Sequence, residues 1–263
     1  MVPEVLTAAQ RSSWEEHGYF RIDGFAEAEL CRAMLDDVID IARRFAAGEK
    51  VSPAYITPEN NLRDAGRAGR PEELVSKIFR LHRRGPFHDF AVSAPVVDLL
   101  ADLFSSAEVD CFLSQFIFKN PGAWGQPWHQ DSYYFPFDPD GGRPIAGVWL
   151  AVTEATLENG CLHVLPGSQR EPVHEHVPDR RPNANAGYVE IVDHDTAAAQ
   201  PVLMKPGDLL VFDSHLMHRS TDNVSDGIRA AMVFHYCRAG VTDRHPSPLN
   251  DFMPARRQQG ALV

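Results

Sequence analysis

From Val109 onward the chain is a succession of short β-type runs, each closed by a turn rich in glycine, proline, asparagine or aspartate. The runs are Cys111–Phe118, Gly147–Thr153, Leu162–Leu165, Val202–Met204, Leu209–Phe212 and Ile228–Tyr236. Between them stand Asn120-Pro121-Gly122, Asp140-Gly141-Gly142, Glu158-Asn159-Gly160, Pro166-Gly167-Ser168, Lys205-Pro206-Gly207-Asp208 and Ser225-Asp226-Gly227. Many short strands punctuated in this way predict an antiparallel barrel or jelly roll. The polar stretch from about 169 to 200 is expected to loop between two of the strands.

The first part of the chain has a different texture. Thr7 can open a helix that Gly18 ends, and Tyr19–Ile22 reads as a strand. Ala28–Phe45 places Leu30, Met34, Leu35, Val38, Ile41, Ala42 and Phe45 on one face of an amphipathic helix. Residues 48 to 72 read as an irregular excursion, the usual form of a lid or binding loop. Further helices are expected near Glu72–Leu81 and Pro95–Phe104. The reading is one domain over 1–263, helical to about 108, with a β core over about 109–240.

With 263 residues, 44% of them hydrophobic, the chain can bury a substantial core. A formal net charge of −11 speaks against a nucleic-acid partner, because phosphate binding needs clustered Lys and Arg. Cys31, Cys111, Cys161 and Cys237 are scattered and form no CxxC pair, as expected of free thiols in a reducing compartment. Neither a signal peptide nor a membrane-length apolar run is evident, so a soluble, cytoplasmic protein is expected.

His129-Gln130-Asp131 carries the chemistry. In extended chain, residues i and i+2 share a face, so His129 and Asp131 can reach one ion together. His215 and His218 are candidates for a third ligand, and two residues downstream of His218 favour it. Ser220 lies two positions on, and Arg229 stands at the start of the run Ile228–Tyr236. A turn at Asp226-Gly227 would fold that run back beside His218. Two imidazoles and a carboxylate on one face of an octahedral ion form the ligand set of non-haem Fe(II) oxygenases. Such enzymes need two electrons from outside the substrate, and 2-oxoglutarate supplies them. Its distal carboxylate suits the planar fork of Arg229, with Ser220 as a further donor.

These residues resemble the phytanoyl-CoA dioxygenase family of Fe(II)/2-oxoglutarate oxygenases. Four motifs carry the resemblance: His129-Gln130-Asp131 with Tyr134-Phe135-Pro136-Phe137; Glu158-Asn159-Gly160-Cys161-Leu162 leading to Leu165-Pro166-Gly167-Ser168; Gly207-Asp208-Leu209; and His218-Arg219-Ser220 with Arg229 beyond it. The resemblance implies a double-stranded β-helix (a cupin-like jelly roll) with helices packed on one sheet. It also implies that Lys77, Gln115 and Trp149 border the cosubstrate, although relatives can carry methionine where Gln115 stands. Related halogenases replace the metal carboxylate with a small residue. This chain keeps Asp131, which points to hydroxylation of an unactivated C–H in a small organic molecule, secondary metabolites among the candidates. The ectoine-hydroxylase signature around the metal strand is not evident.

Tyr133, Tyr134, Phe135 and Phe137 are candidates for an apolar wall at the pocket mouth, or for ordinary barrel packing. Arg63, Arg67, Arg70, Arg80, Arg83 and Arg84 read either as a clamp for an anionic or carrier-linked substrate, or as a solvated face paired with Asp64, Glu72 and Glu73. His174, His176 and His194 offer a second metal site in the long loop, or simply face solvent there. Three rival functions stand beside the hydroxylase. One is an acyl-CoA 2-hydroxylase, which the acidic balance and the C-terminal Ala261-Leu262-Val263 do not favour. Another is a catalytically silent jelly-roll sensor, and the last a Zn(II) hydrolase on the same three ligands.

Overall fold

The structure, a computed structural model, describes residues 3–66, 69–135, 137, 144–244 and 246–256. Arg67, Pro136, the turn Asp140-Gly141-Gly142 and the C-terminal tripeptide lie outside the described residues. Thr7 and Gln10 form a reciprocal capping box that opens α1 (Ala8–His17), and Gly18 closes it at φ 80°. Next come β1 (Tyr19–Ile22), α2 (Ala28–Ala46), β2 (Tyr55–Pro58), α3 (Asn60–Asp64), β3 (Val75–Phe79), α4 (Gly85–Ala91) and α5 (Ala94–Phe104). The β-rich part holds β4 (Val109–Lys119), β5 (Ala146–Ala151), β6 (Leu162–Val164), β7 (Val177–Pro178), β8 (Val189–Glu190), β9 (Gln200–Val202), β10 (Leu209–Asp213), β11 (His218–Ser220), β12 (Arg229–Arg238) and β13 (Met253–Pro254).

Two sheets face each other. The larger runs β1-β10-β5-β12-β4-β3-β2, with β13 beside β4; the smaller runs β11-β6-β9. Every pairing is antiparallel, as the turn-punctuated sequence requires. This is the expected jelly roll with helices on one side.

The period of two along each strand sorts the side chains. On β12, Ala230, Met232, Phe234 and Tyr236 belong to the cluster that also holds Met34, Val38 and Ile41 of α2 and Leu99 and Leu100 of α5. Ala231 and Val233 face the other way, onto Leu162, Val164, Val202 and Met204. Arg229 and His235 share that inward face. Trp149 on β5 and Phe212 on β10 also belong to the inner cluster, whereas Val148 and Val211 belong to the helix-side one. The helices thus back the large sheet, and the interior between the sheets is left for a site.

Three expectations need correction. Glu72–Leu81 is not a helix: a 3-10 turn, Pro71–Leu74, runs into strand β3. Val75, Ser76, Ile78 and Phe79 are all buried, so both faces of this strand are covered and no alternation marks it. Residues 48 to 72 are not wholly irregular, because β2 and α3 lie within them. And β12 does not pair with β11. It lies between β4 and β5 of the large sheet, so Arg229 meets His218 across the interior.

Candidate metal centre

Two backbone hydrogen bonds bring the imidazoles together. His129 N donates to His218 O and His218 N to His129 O, both at 3.0 Å. The residues therefore sit directly opposite each other as an isolated antiparallel bridge. Their rings are 4.2 Å apart, centroid to centroid. The chain then turns into the 3-10 segment Asp131–Tyr134, which swings the Asp131 carboxylate under both rings. Asp131 Oδ1 lies 3.6 Å from His129 Nε2 and 3.8 Å from His218 Nε2. Cis ligands of an octahedral ion with bonds of about 2.1 Å stand about 3 Å apart. A small inward adjustment gives that spacing.

Each imidazole is held in the tautomer a metal needs. His129 Nδ1 donates to Pro127 O at 2.8 Å, and His218 Nδ1 to Leu216 O at 2.9 Å. Both Nε2 lone pairs are thereby left facing Asp131. Burial, and after it the neighbouring His129, pushes His218 down to about 4, so it is neutral near pH 7. Burial alone would raise the Asp131 carboxyl. The imidazoles of His218 and His235 outweigh it and hold the group well below the usual carboxylate range.

His235, which sequence reasoning misses, holds the other oxygen: its Nε2 is 2.7 Å from Asp131 Oδ2. It is buried in the middle of an apolar strand, and its only sequence signal is its even spacing from Arg229 on one face of β12. Phe212 packs on both His218 and His235, at 5.0 and 6.4 Å. Its ring fills the space a side chain at Gly147 would need. His215, the alternative ligand, instead lies in the turn before β11, where its carbonyl accepts from Gln130.

The triad opens on a cavity of about 250 Å³ that also receives Lys77, Gln115, Trp149, Ser220 and Arg229. All five residues expected around a cosubstrate therefore line one space. Arg229 is fully buried and makes a single protein hydrogen bond, Nη2 to Gly160 O at 3.1 Å. Among the described residues its Nε and Nη1 have no hydrogen-bond partner. Burial lowers it to about 10, so the guanidinium remains charged at neutral pH. A buried cation this sparsely bonded calls for an anion, and a carboxylate can take paired bonds from Nη1 and the second hydrogen of Nη2. Gly160 is in the left-handed region at φ 83°, and a side chain there would run into Thr221 O and Lys119. The Asn159-Gly160 turn thus lets the carbonyl approach the guanidinium.

Lys119 is the second residue that sequence reasoning misses. It pairs directly across from Arg229, between β4 and β12. Its Nζ donates to Ser220 Oγ at 2.7 Å and Thr221 O at 2.6 Å. Burial, then the charge of Arg229, lowers its pKa well below the ordinary lysine value. Ser220 Oγ also accepts from Gln126 N at 3.1 Å, which leaves its own hydrogen free for the cavity. Lys77 projects from β3, bonded to Gln126 Oε1 at 2.9 Å and set 4.9 Å from the centre of the Tyr188 ring.

The aromatic wall is only partly as expected. Tyr134 and Phe135 line the cavity. Tyr133 does not: it is 43% exposed and stacks on His176 at 4.3 Å. Phe137 packs with Phe112 and Phe135 in a separate cluster. The arginines are paired with acids, Arg63 with Asp64, Arg70 with Glu73, Arg83 with Asp251 and Arg84 with Asp37. None of the described ones lines the cavity.

Known proteins share this fold. A family model described as Phytanoyl-CoA dioxygenase (PhyH) matches residues 14–231. Phytanoyl-CoA dioxygenase 1 of Oryza sativa subsp. japonica is 28% identical over 258 residues, covering 88% of each chain. The peroxisomal phytanoyl-CoA dioxygenase of Rattus norvegicus is 27% identical, over 88% of this chain and 68% of that one. Among solved structures, EctD from S. alaskensis with bound Fe superposes with a TM-score of 0.71 at 20% identity, over 98% of this chain and 89% of that one. EvdO2 from Micromonospora carbonacea var. aurantiaca complexed with 2-oxoglutarate gives 0.63 at 22% identity, over 94% and 98%.

Proposed function

The chain belongs to the phytanoyl-CoA dioxygenase family of Fe(II)/2-oxoglutarate-dependent oxygenases, and from that premise we propose that it hydroxylates an unactivated C–H of a small organic molecule, with His129, Asp131 and His218 as its iron ligands. The observation that carries this reading is the buried, sparsely hydrogen-bonded guanidinium of Arg229 in the lining of the same cavity as the three ligands. Iron and 2-oxoglutarate, when bound, supply the oxidising chemistry, with O2 consumed and the cosubstrate converted to succinate and CO2.

The chain's own residues position and enclose. Arg229 would hold the distal carboxylate of 2-oxoglutarate, and Ser220 would donate its free hydrogen to the same group. Lys119 fixes the Ser220 hydroxyl by donating to it. Lys77, Gln115 and Trp149 border the bound cosubstrate. His235 keeps Asp131 turned toward the metal. Phe79, Leu113, Phe135 and Leu249 give the cavity apolar surface, while Tyr134 and Asn250 offer polar contacts to a substrate. Residues 1–263 work as one oxygenase domain.

The cavity is smaller than the roughly 300–1,000 Å³ of sites that enclose drug-sized ligands. Only a small reacting fragment fits inside it with the cosubstrate, and a coenzyme A moiety would have to remain outside. Four free, buried cysteines are consistent with a cytoplasmic location. Among the described residues no helix is long and apolar enough to cross a membrane. The test is iron-dependent conversion of 2-oxoglutarate to succinate without added substrate, lost in Asp131→Ala. Absence of that activity in the iron-loaded wild type would favour a silent sensor, and the same activity in Asp131→Ala would remove the ligand assignment.

A further inference from the structure

A second group of ligating side chains lies away from the triad. The segment 171–194 leaves the 3-10 turn Ser168–Arg170, passes through the β7–β8 hairpin and returns toward β9. Its two ends meet at Glu171, His174 and His194, whose donor atoms all lie within 4.8 Å of one another. His174 Nε2 is 2.7 Å and His194 Nε2 2.8 Å from the same oxygen, Glu171 Oε2. His194 Nδ1 lies 2.9 Å from the Asp195 carbonyl oxygen. A carbonyl only accepts, so Nδ1 carries a hydrogen, and Nε2 donates a second one to the Glu171 carboxylate, which against the cost of burial raises the His194 pKa; a bound ion takes the place of that Nε2 hydrogen. His129 and His218 are oriented by backbone carbonyls in the same way, and metal-bound imidazoles are commonly held like this. The side chains of Glu171, His174 and His194 are 39%, 26% and 19% exposed, so an ion can enter without unfolding the segment.

We propose that Glu171, His174 and His194 bind one divalent transition-metal ion, zinc in the first place, which clips the two ends of segment 171–194 together. Two imidazoles and one carboxylate leave the fourth tetrahedral position to water. With bonds of about 2.1 Å, tetrahedral donors stand about 3.4 Å apart, so the present contacts open by about 0.6 Å to admit the ion.

The position of the clip gives it consequence. Between the clipped ends, Asn185, Ala186, Gly187 and Tyr188 line the triad's cavity. Tyr134 Oη donates to Gly187 O at 2.8 Å, and Tyr188 lies against Lys77. At the base of the segment, Gln130 stands between the ligands His129 and Asp131. Its side chain accepts from His174 N at 2.8 Å and donates to Pro172 O at 3.1 Å, and its backbone N donates to His176 Nε2 at 3.0 Å. An ion here closes a loop that roofs the cavity, and loop closure of this kind removes chain entropy. The inference does not depend on which ion the triad holds.

The test is zinc titration of chelator-stripped protein by calorimetry, with limited proteolysis of segment 171–194. Wild type is expected to bind two equivalents. His129→Ala/His218→Ala keeps one, and that ion raises its Tm and slows cleavage within the segment. His174→Ala/His194→Ala also keeps one, but zinc no longer protects the segment. Glu171→Gln, which preserves shape and hydrogen bonding, loses the same equivalent should the double variant fold poorly. The proposal is overturned if His129→Ala/His218→Ala binds no zinc, or if Glu171→Gln in that background binds it unchanged.

Discussion

Replacing Arg229 with methionine separates two effects that the structure sets in opposite directions. Methionine keeps much of the apolar stem and removes the fork. Among the described residues Nη1 has no partner, and together with the second hydrogen of Nη2 it can make paired bonds to a ligand carboxylate. Charge-assisted hydrogen bonds contribute about 1.5–3 kcal/mol each. Losing two costs about 3–6 kcal/mol, a drop of about 10²- to 10⁴-fold in affinity for 2-oxoglutarate. The ligand-free protein should respond the other way. There the substitution removes a fully buried cation whose idle donors each cost about 1–3 kcal/mol, at the loss of one bond to Gly160 O. Thermal melts of the iron-loaded protein, made anaerobically over a series of 2-oxoglutarate concentrations, report both quantities. Arg229→Met should melt at or above wild type without cosubstrate, and show almost none of the cosubstrate-dependent rise. Arg229→Lys should recover little, because an ammonium cannot make the paired contact. Affinity within about tenfold of wild type would refute the reasoning.

The residues around the triad give further expected outcomes. His235→Phe leaves Asp131 Oδ2 without its 2.7 Å partner and should weaken Fe(II) binding about 10- to 100-fold, read by competition with a chelating dye. The metal-free protein should lose stability in acid. His218 titrates at about 4 when folded and near 6.5 when unfolded, so between those values only the unfolded chain binds the proton. Stability present above pH 6.5 is therefore lost as pH falls toward 4, by about 3 kcal/mol for this group. Urea midpoints at the two ends of that window should differ less in His218→Asn than in wild type, and an equal difference would contradict the assignment.

Much of this site is legible in the sequence, and the exceptions have a common cause. His129-Gln130-Asp131, His218, Ser220 and Arg229 announce themselves because they are polar residues at the ends of apolar runs, beside turns that mark strand boundaries. Lys119 and His235 stay hidden because each lies within or at the edge of a β run whose role depends on a partner about 100 residues away. Lys119 meets Ser220 and His235 meets Asp131 only once the sheets face each other. The β3 strand reads as a helix because Leu74, Ile78 and Leu81 are spaced like one helix face. Burial of both its faces erases the alternation that would show a strand. The arginines near residues 63–84 look like a clamp only while their acids are unknown. Asp251 and Asp37, the partners of Arg83 and Arg84, lie far away in the chain.

The most direct check is anomalous diffraction at the iron edge from crystals grown without oxygen in Fe(II) and 2-oxoglutarate. A strong peak about 2.0–2.2 Å from Nε2 of His129, Nε2 of His218 and Oδ1 of Asp131 is the expected result, with the distal carboxylate of the cosubstrate on Arg229. No iron at these three atoms, or a cosubstrate that leaves Arg229 untouched, would contradict the account.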